Sequence, residues 1–458
     1  MNILYNQTLL KNFFYIYTLL FILFLVYFFT DIAVIGTALS FLALGVLIIS
    51  WLFASRLFKM IGMAFTAAGI ILSLASGESA FAIISNTTSN MPLLFFFSVL
   101  PWIGTVVKVG GLDDSISDMI QDDNNKVENI YGRSVFATYF LGVFLNISAI
   151  YIVQQILENL FKKATLTLRN EFIIKTTLRA FALAVIWSPL EVIVGMTVGA
   201  TGLSYFALFP WLLLVSITTG IVEVFIGKKD FRGITLDADK HDTDKNAMTR
   251  SIIKMLVLLV SFLSLVMVLN TFSDIGFIMS VALIIIPFSF ATAIVMQKFE
   301  YFIKGGVAAW RNHNNTLQNF AVLFLSLGIF SEGFNSSPLP QLMQTVFGYF
   351  DGVVILILLM IMAVIYALAM FGVHPVATLA ILAEVLSPIM TPDNVMSIAI
   401  TMVVCGMSIS AAAPYGINAT MTSQKMGLNP YHITKTNMSF SLRMGLIGIL
   451  FSMAALII

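Results

Sequence analysis

The stretch Phe371-Gly372-Val373-His374-Pro375-Val376-Ala377-Thr378 interrupts an apolar run that extends from 352 to 390. A helix rises 1.5 Å per residue, so a run of about 39 residues laid out straight would reach roughly twice the ~30 Å hydrocarbon core of a bilayer. Glycine permits a turn, and the residue before a proline is driven out of helix. The run therefore reads as a helix that reaches a turn and comes back, after a short lead-in helix. A second run, 132–160, is interrupted at Asn146-Ile147-Ser148 and reads the same way.

Around these two hairpins, apolar runs of spanning length recur from end to end. They cover 13–30, 32–53, 60–85, 92–108, 172–200, 203–226, 251–271, 275–297, 316–333, 394–424 and 436–458. The chain is 59% hydrophobic and only 10% charged, with 40 Phe, which describes a chain whose solvent is mostly lipid. The first run lacks a small-residue cleavage site and leads at once into a second, so it reads as a retained helix. Cys405 is the lone cysteine and excludes an internal disulfide. The expected fold class is an all-α polytopic membrane protein with about 11 transmembrane helices, two re-entrant helical hairpins and an inverted-topology repeat.

The basic residues orient the chain. Lys11, Arg56, Lys59, Lys126, Arg133, Lys162, Lys163, Arg169, Lys298, Lys304, Arg311, Lys425 and Lys435 flank the runs, and Lys228, Lys229, Arg232, Lys240, Lys245 and Arg250 occupy the one long polar loop. With a cytoplasmic N-terminus and both hairpins re-entrant, every one of these clusters falls on the inner side. The opposite loops, near Asp31, 86–91, 201–202, 272–274, 334–351 and 391–393, hold no Lys or Arg. The C-terminus is then external. Usage rich in Ile, Phe, Asn and Lys points to a bacterial cytoplasmic (inner) membrane. Loop 227–250 also carries Asp230, Asp237, Asp239, Asp242 and Asp244, so its charges nearly cancel and it reads as a solvated cytoplasmic linker. It separates an N-terminal repeat (1–226, with an extra first helix and the cytoplasmic-entry hairpin 132–160) from a C-terminal inverted repeat (251–458, with the outer-entry hairpin 352–390).

Two spans are themselves broken: the fifth at Ile186-Trp187-Ser188-Pro189-Leu190-Glu191, the tenth at Ser410-Ala411-Ala412-Ala413-Pro414-Tyr415-Gly416-Ile417-Asn418. Irregular backbone at membrane depth persists only where protein or a water-filled cavity satisfies it. A half-helix beginning after such a break offers free N–H groups and a partial positive charge, while the opposing carbonyls suit a cation. The candidate substrate-binding residues are Asn146, Ser148, His374, Thr378, Ser188, Ser410, Pro414 and Asn418. Candidates for cation or proton coupling are Glu191, Asn146 and Glu384, because a carboxylate within the membrane is costly. Several have a plainer reading. Asn146 and Ser148 can be helix caps, His374 a structural side chain before Pro375, Ser188-Pro189 a simple break, and Glu191 a partner for a helix dipole. Glu78, Glu223 and Glu332 read as interfacial. No Lys or Arg lies in the middle of the interruptions.

With these motifs, the layout resembles the ion transporter superfamily, in particular the divalent anion–sodium symporter branch and its arsenite and sodium/proton antiporter relatives. In that branch both hairpin tips carry Ser-Asn-Thr. Here the first tip has the related Asn146-Ile147-Ser148, and the second has Val373-His374-Pro375. Ala413-Pro414-Tyr415-Gly416-Ile417-Asn418 is similar to the family's Pro- and Gly-containing break. The resemblance implies an elevator-like secondary active transporter for a small anionic solute, coupled to Na⁺ or H⁺, and a homodimer with a scaffold and a mobile hairpin unit.

The alternative from another class is a translocase of a lipid-linked substrate or a non-transport membrane scaffold. The chain contains no P-loop, no Ser/His/Asp set, no His- or Cys-rich metal motif and no large polar domain. The expectations are therefore that it is not an enzyme, needs no cofactor or metal beyond a coupling Na⁺ or H⁺, and has no nucleic-acid partner. Its expected partners are a small-molecule or ion substrate, the lipid bilayer and a second copy of itself.

Overall fold

The computed structural model describes residues 2–111, 116–120, 125–236, 245–273, 275–347 and 353–457. The middle of the central loop, with Lys240, Asp237, Asp239, Asp242 and Asp244, lies outside the described residues, as does Ile458. Among the described residues the chain is helical, and an isolated bridge pairs Lys126 with Thr235. Among the described residues eight helices are long and apolar enough to cross a membrane, or nine if the bent pair Phe299–Asn314 and Gln318–Ser336 is one span. Their outward faces carry Ile48, Met63, Ile71, Ile221, Phe225 and Val260, all large, apolar and exposed. Helices apolar on the outside are stable only in lipid, so this is a polytopic membrane protein.

The chain forms two compact units, and each takes segments from both sides of the central loop. The first comprises Met1–Val106, Ile278–Tyr349 and Glu384–Ile389. It contains α1 (Asn2–Thr30), α2 (Ala33–Phe53), α3 (Arg56–Ala75), α4 (Ala80–Ser85), most of α5 (Met91–Val109), α13 (Phe277–Val295), α14 (Phe299–Asn314), α15 (Gln318–Ser336) and α16 (Leu339–Phe347). Its centre is the packing of α3 on α15. A Cβ on Gly69 would stand 2.6 Å from the Ile329 backbone, and one on Gly333 would stand 2.5 Å from the Gly69 carbonyl. Small residues let the two backbones meet, the usual device where lipid supplies no hydrophobic drive between helices.

Three elements of this unit differ from the sequence reading, the first being α16, a helix inside the expected loop 334–351. The expected span 60–85 ends at Ala75. Ser76 follows, then Gly77 at φ +80, and Ser79 caps a separate α4 through a bond from the Ala82 N–H. At that turn the Ser336 hydroxyl donates to Glu78 at 2.5 Å, and with Asn86 it holds the Glu78 carboxyl below its ordinary range. The basic stretch 298–315, left between the runs 275–297 and 316–333, contains the amphipathic helix α14. It buries Phe302 and Gly306, and a Cβ on Gly306 would overlap the Trp102 ring. Lys304 and Arg311 occupy its other face, and α14 meets α15 at a 60° bend. Phe302 and Trp102 also pack against Phe290, which fixes α14 to α5 and α13.

The second unit comprises Val107–Phe277, Phe350–Ala383 and Met390–Ile458. It holds α6 (Ile116–Ile120), α7 (Val127–Leu145), α8 (Ile147–Leu160), α9 (Leu166–Val185), α10 (Val192–Thr201), α11 (Tyr205–Asp230), α12 (Lys245–Phe272), α17 (Val354–Met370), most of α18 (Pro375–Leu386), α19 (Val395–Ser410), α20 (Ile417–Met426) and α21 (Pro430–Ala454). The helix interruptions at Asn146, 186–191, 371–374 and 411–416 stand where the sequence signals them. Polar N-caps start the flanking helices: Thr165 for α9, Ser204 for α11 and Asn429 for α21, each accepting from a backbone N–H of the first turn. Left-handed Gly202 and Gly427 end α10 and α20.

Candidate functional site

All four interruptions lie in the second unit, and each of the turns at Asn146 and 371–374 abuts a broken helix. At the first turn Asn146 takes φ +48, ψ −134, a conformation that side chains rarely adopt. Its Oδ1 accepts from the Ile147 N–H at 2.7 Å, which caps α8. Its Nδ2 points to Glu191 Oε2 at 3.5 Å, the outer limit of a hydrogen bond. Ser188 draws the break closer. Its hydroxyl donates to the Val143 carbonyl at 3.2 Å, in the last turn of α7, and accepts from the Leu190 N–H. Tyr205 closes the other side by donating to the Trp187 carbonyl at 2.6 Å. The break between α9 and α10 is thus held by hydroxyls.

Glu191 is the N-cap residue of α10, in extended backbone, buried, and makes no capping hydrogen bond. A carboxylate there faces the positive end of the half-helix, which offsets part of its desolvation. Ser148 is exposed, in the first turn of α8.

The second turn packs on the second break in the same way. Gly372, at φ +90, faces the Tyr415 side chain, and a Cβ placed on it would meet that ring at 3.4 Å. His374 starts α18: its carbonyl accepts from the Ala377 and Thr378 N–H groups, and its Nδ1 accepts from the Val376 N–H at 3.3 Å. Thr378, one turn into α18, is fully buried and its hydroxyl has no hydrogen-bond partner among the described residues. Asn418, in the first turn of α20, is also buried with Oδ1 unpartnered. Buried polar atoms are nearly always paired, so an unpartnered one at the start of a half-helix is a position that a ligand can complete. Ser410 donates to the Met407 carbonyl and ends α19, and Pro414 is buried in the turn that follows.

The two broken helices pack on each other through α10 and α19, where Gly406 of α19 lets Ile193 of α10 and Leu379 of α18 approach. Gln154 of α8 ties them again, donating to Thr177 of α9 at 3.3 Å and to Thr422 of α20 at 2.9 Å. The structure therefore brings together Asn146, Ser188 and Glu191 at one break, and associates the His374 turn and Asn418 with the other. Glu384 stands apart: it belongs to the first unit and accepts from Ser331 of α15.

One cluster escaped the sequence reading. Arg179 lies in the middle of α9, buried, within two turns of the break. It donates to Glu223 Oε2 at 2.9 Å, to Asn437 Oδ1 at 2.9 Å and to the Thr436 carbonyl at 2.8 Å. Arg443 donates to the other Glu223 oxygen, and Asn437 passes the chain on by donating to the Ala411 carbonyl at the second break. Glu223 is therefore a buried centre and not an interfacial residue, and an arginine does reach the neighbourhood of a break. The signal available was Arg179 itself, an internal charge in a run long enough to span.

The chain is similar to the solved structure of the YdaH transporter of Alcanivorax borkumensis, which is described as having an unusual topology. The TM-score is 0.62 at 13% sequence identity, over 87% of this chain and 97% of that one. At that identity the likeness is one of fold. No protein-family model matches the sequence, and no curated protein matches it.

Proposed function

We propose that this chain is a secondary active transporter that moves a small anionic solute across a bacterial cytoplasmic membrane, coupled to Na⁺ or H⁺. The observation that carries the reading is the packing of the turns at Asn146 and Gly372 on the breaks at Glu191 and Tyr415, with the unpartnered Thr378 hydroxyl and Asn418 Oδ1 in the half-helices that follow the second turn and the second break. The likeness in fold to a protein described as a transporter supports it. In this reading α7–α8 and α17–α18 are re-entrant hairpins, the two sides of the central loop are inverted repeats, and eleven spans cross the membrane from a cytoplasmic N-terminus to an external C-terminus. The kinship with the ion transporter superfamily and the homodimer belong to the same proposal.

The residues divide the work by charge. Glu191 already supplies a carboxylate to the start of α10, so that half-helix favours a cation beside it. The starts of α8, α18 and α20 carry no carboxylate, and their N–H groups with Asn146, Thr378 and Asn418 serve the anion. Arg179 and Arg443 against the single Glu223 leave one net positive charge (2 − 1) behind the second break, which favours an anion there. Ser188, His374 and Pro414 shape the turns. The hairpin unit then moves as a body and exposes the site to each side in turn.

Proteoliposome uptake tests this. A panel of labelled dicarboxylates, other small organic anions and oxyanions is offered with an inward Na⁺ gradient, a proton gradient or neither. Accumulation of one anion class driven by one of the gradients is the expected result. Equilibration without any gradient dependence, or the absence of flux for every anion while a lipid-linked substrate is turned over, overturns the proposal.

A further inference from the structure

A cavity of about 700 Å³ opens on the side of the second unit between α7, α11 and α12, within the ~300–1,000 Å³ range of ligand sites. Its walls are apolar, with Tyr139 and Trp187 at the inner end and Gly132 and Lys228 at the other. The few polar groups inside are already paired with protein. Trp187 Nε1 donates to the Tyr139 hydroxyl at 2.6 Å, that hydroxyl bonds to Ser216 at 2.9 Å, and Ser216 donates to the Leu183 carbonyl at 2.7 Å. The inner end therefore asks an occupant only for apolar surface.

The mouth differs. Lys228 is exposed and has no ion pair among the described residues, whereas Lys175 nearby in the same unit is paired with both Glu171 and Asp230. The Lys228 stem lies over Gly132, where an added Cβ would stand 3.1 Å from its Cε. That posture places an ammonium at the end of an apolar trough. Ser216 and Lys228 are separated by 12 positions of α11, roughly 18 Å of rise, slightly more than the ~15 Å that one leaflet contributes to the hydrocarbon core.

From this combination we infer that the cavity is a binding site for one anionic phospholipid, with an acyl chain lying against Tyr139 and Trp187 and the headgroup phosphate on Lys228. Length, lining and charge agree on that occupant, since a basic side chain at the headgroup level attracts anionic lipid. The inference holds whatever solute the protein carries, because it uses none of the residues assigned to substrate or coupling ion.

Trp187 is a built-in reporter. The other tryptophans, Trp51, Trp102, Trp211 and Trp310, are replaced by Phe, and the protein is placed in phosphatidylcholine nanodiscs containing a minor fraction of brominated phosphatidylglycerol or, in parallel, brominated phosphatidylcholine. Bromine quenches indole fluorescence only at close range. The expected result is a roughly fivefold preference for the anionic lipid, the factor one lysine supplies at a membrane surface, falling to parity in Lys228→Gln. Gly220→Leu fills the cavity from α11, where an added Cβ meets only Leu183 at 3.7 Å. In that variant quenching by both lipids falls, with the melting temperature measured beside it. Equal quenching by the two lipids in the parent, or quenching unchanged in Gly220→Leu, overturns the site, and so does no quenching by either lipid.

Discussion

Arg179 and Glu223 form an ion pair at 2.9 Å with side chains only 4% and 1% exposed. The pair joins α9 to α11, and through Arg443 and Asn437 it joins both to α21 and to the carbonyl of Ala411. Such a network is satisfied only when complete: each of the three guanidinium nitrogens of Arg179 has an acceptor, and each Glu223 oxygen takes one guanidinium. Removing the carboxylate leaves two cations facing each other in a low-dielectric interior. Glu223→Ala is therefore expected to destabilise the protein by about 3–5 kcal/mol, seen as a lower melting temperature and poor yield in detergent. Arg443→Ala should cost less, because its side chain is 33% exposed and water can share its role. Equal melting of Glu223→Ala and the parent protein would remove the network as a structural centre.

The interruptions were legible in the sequence because each breaks helix for a local reason. Pro189, Pro375 and Pro414 remove a backbone donor, Gly372 admits positive φ, and Asn146 tolerates it. Pairings between distant segments were not. Arg179 and Glu223 are 44 positions apart; Glu223 alone reads as interfacial, and Arg179, an internal charge, has no partner that the sequence names. Helix α14 was hidden by its own cations: Lys298, Lys304 and Arg311 outweigh Phe302 and Trp310 in a reading that ranks segments by polarity. The end of α3 at Ala75 was masked in the opposite way, because apolar residues resume at Ala80 directly after the Ser76-Gly77-Glu78-Ser79 turn. What packs against what was also beyond the sequence, and so the unpartnered Thr378 and Asn418 atoms were named only as candidates.

Asn146 invites a three-way comparison. At φ +48 a Cβ is strained by roughly 1–2 kcal/mol, so Asn146→Gly relieves the backbone while Asn146→Ala does not. Both remove the cap on Ile147 and the approach to Glu191. If the side chain only turns the hairpin, Gly restores transport and Ala does not. The site reading expects both variants to weaken substrate binding by about tenfold, the worth of one charge-assisted hydrogen bond, with Gly the more stable of the two. Apparent affinity in proteoliposomes and melting temperature together separate these outcomes.

The α3–α15 contact has no room to give. Gly69→Ala would set its Cβ 2.6 Å from the Ile329 carbonyl carbon, so the helices must part. Overpacking of this kind costs about 1–3 kcal/mol, more where backbone is the obstacle. Gly45→Ala, on α2 with nothing within 4 Å, is the control and should melt like the parent. If Gly69→Ala also melts like the parent, the two helices are not in close contact.

Orientation can be read chemically. In a background with Cys405 replaced, Ser89→Cys and Thr235→Cys each present an exposed position. A membrane-impermeant maleimide added to intact cells should label position 89 and leave 235 untouched until the membrane is opened. Labelling of 235 from outside would invert the topology, and with it the inner placement of Lys228, Lys229 and Arg232.

Glu191 decides the coupling half of the proposal. Its carboxylate is buried at the N-cap of α10 without a capping hydrogen bond, and its one side-chain neighbour in reach is Asn146 Nδ2 at 3.5 Å. A capping role predicts a small loss: Glu191→Gln keeps the shape, removes one charge at a helix start and costs about 0.3–1 kcal/mol of stability. A coupling role predicts more. Gln cannot hold a cation's charge or exchange a proton, so accumulation driven by the Na⁺ or proton gradient should vanish. Exchange of substrate between the two sides should persist, because the anion's own contacts at Thr378 and Asn418 are untouched. The diagnostic is the ratio of gradient-driven accumulation to exchange in the same vesicles. A fall in both by the same factor marks Glu191 as structural, whereas loss of accumulation with exchange retained marks it as the residue through which the ion gradient acts.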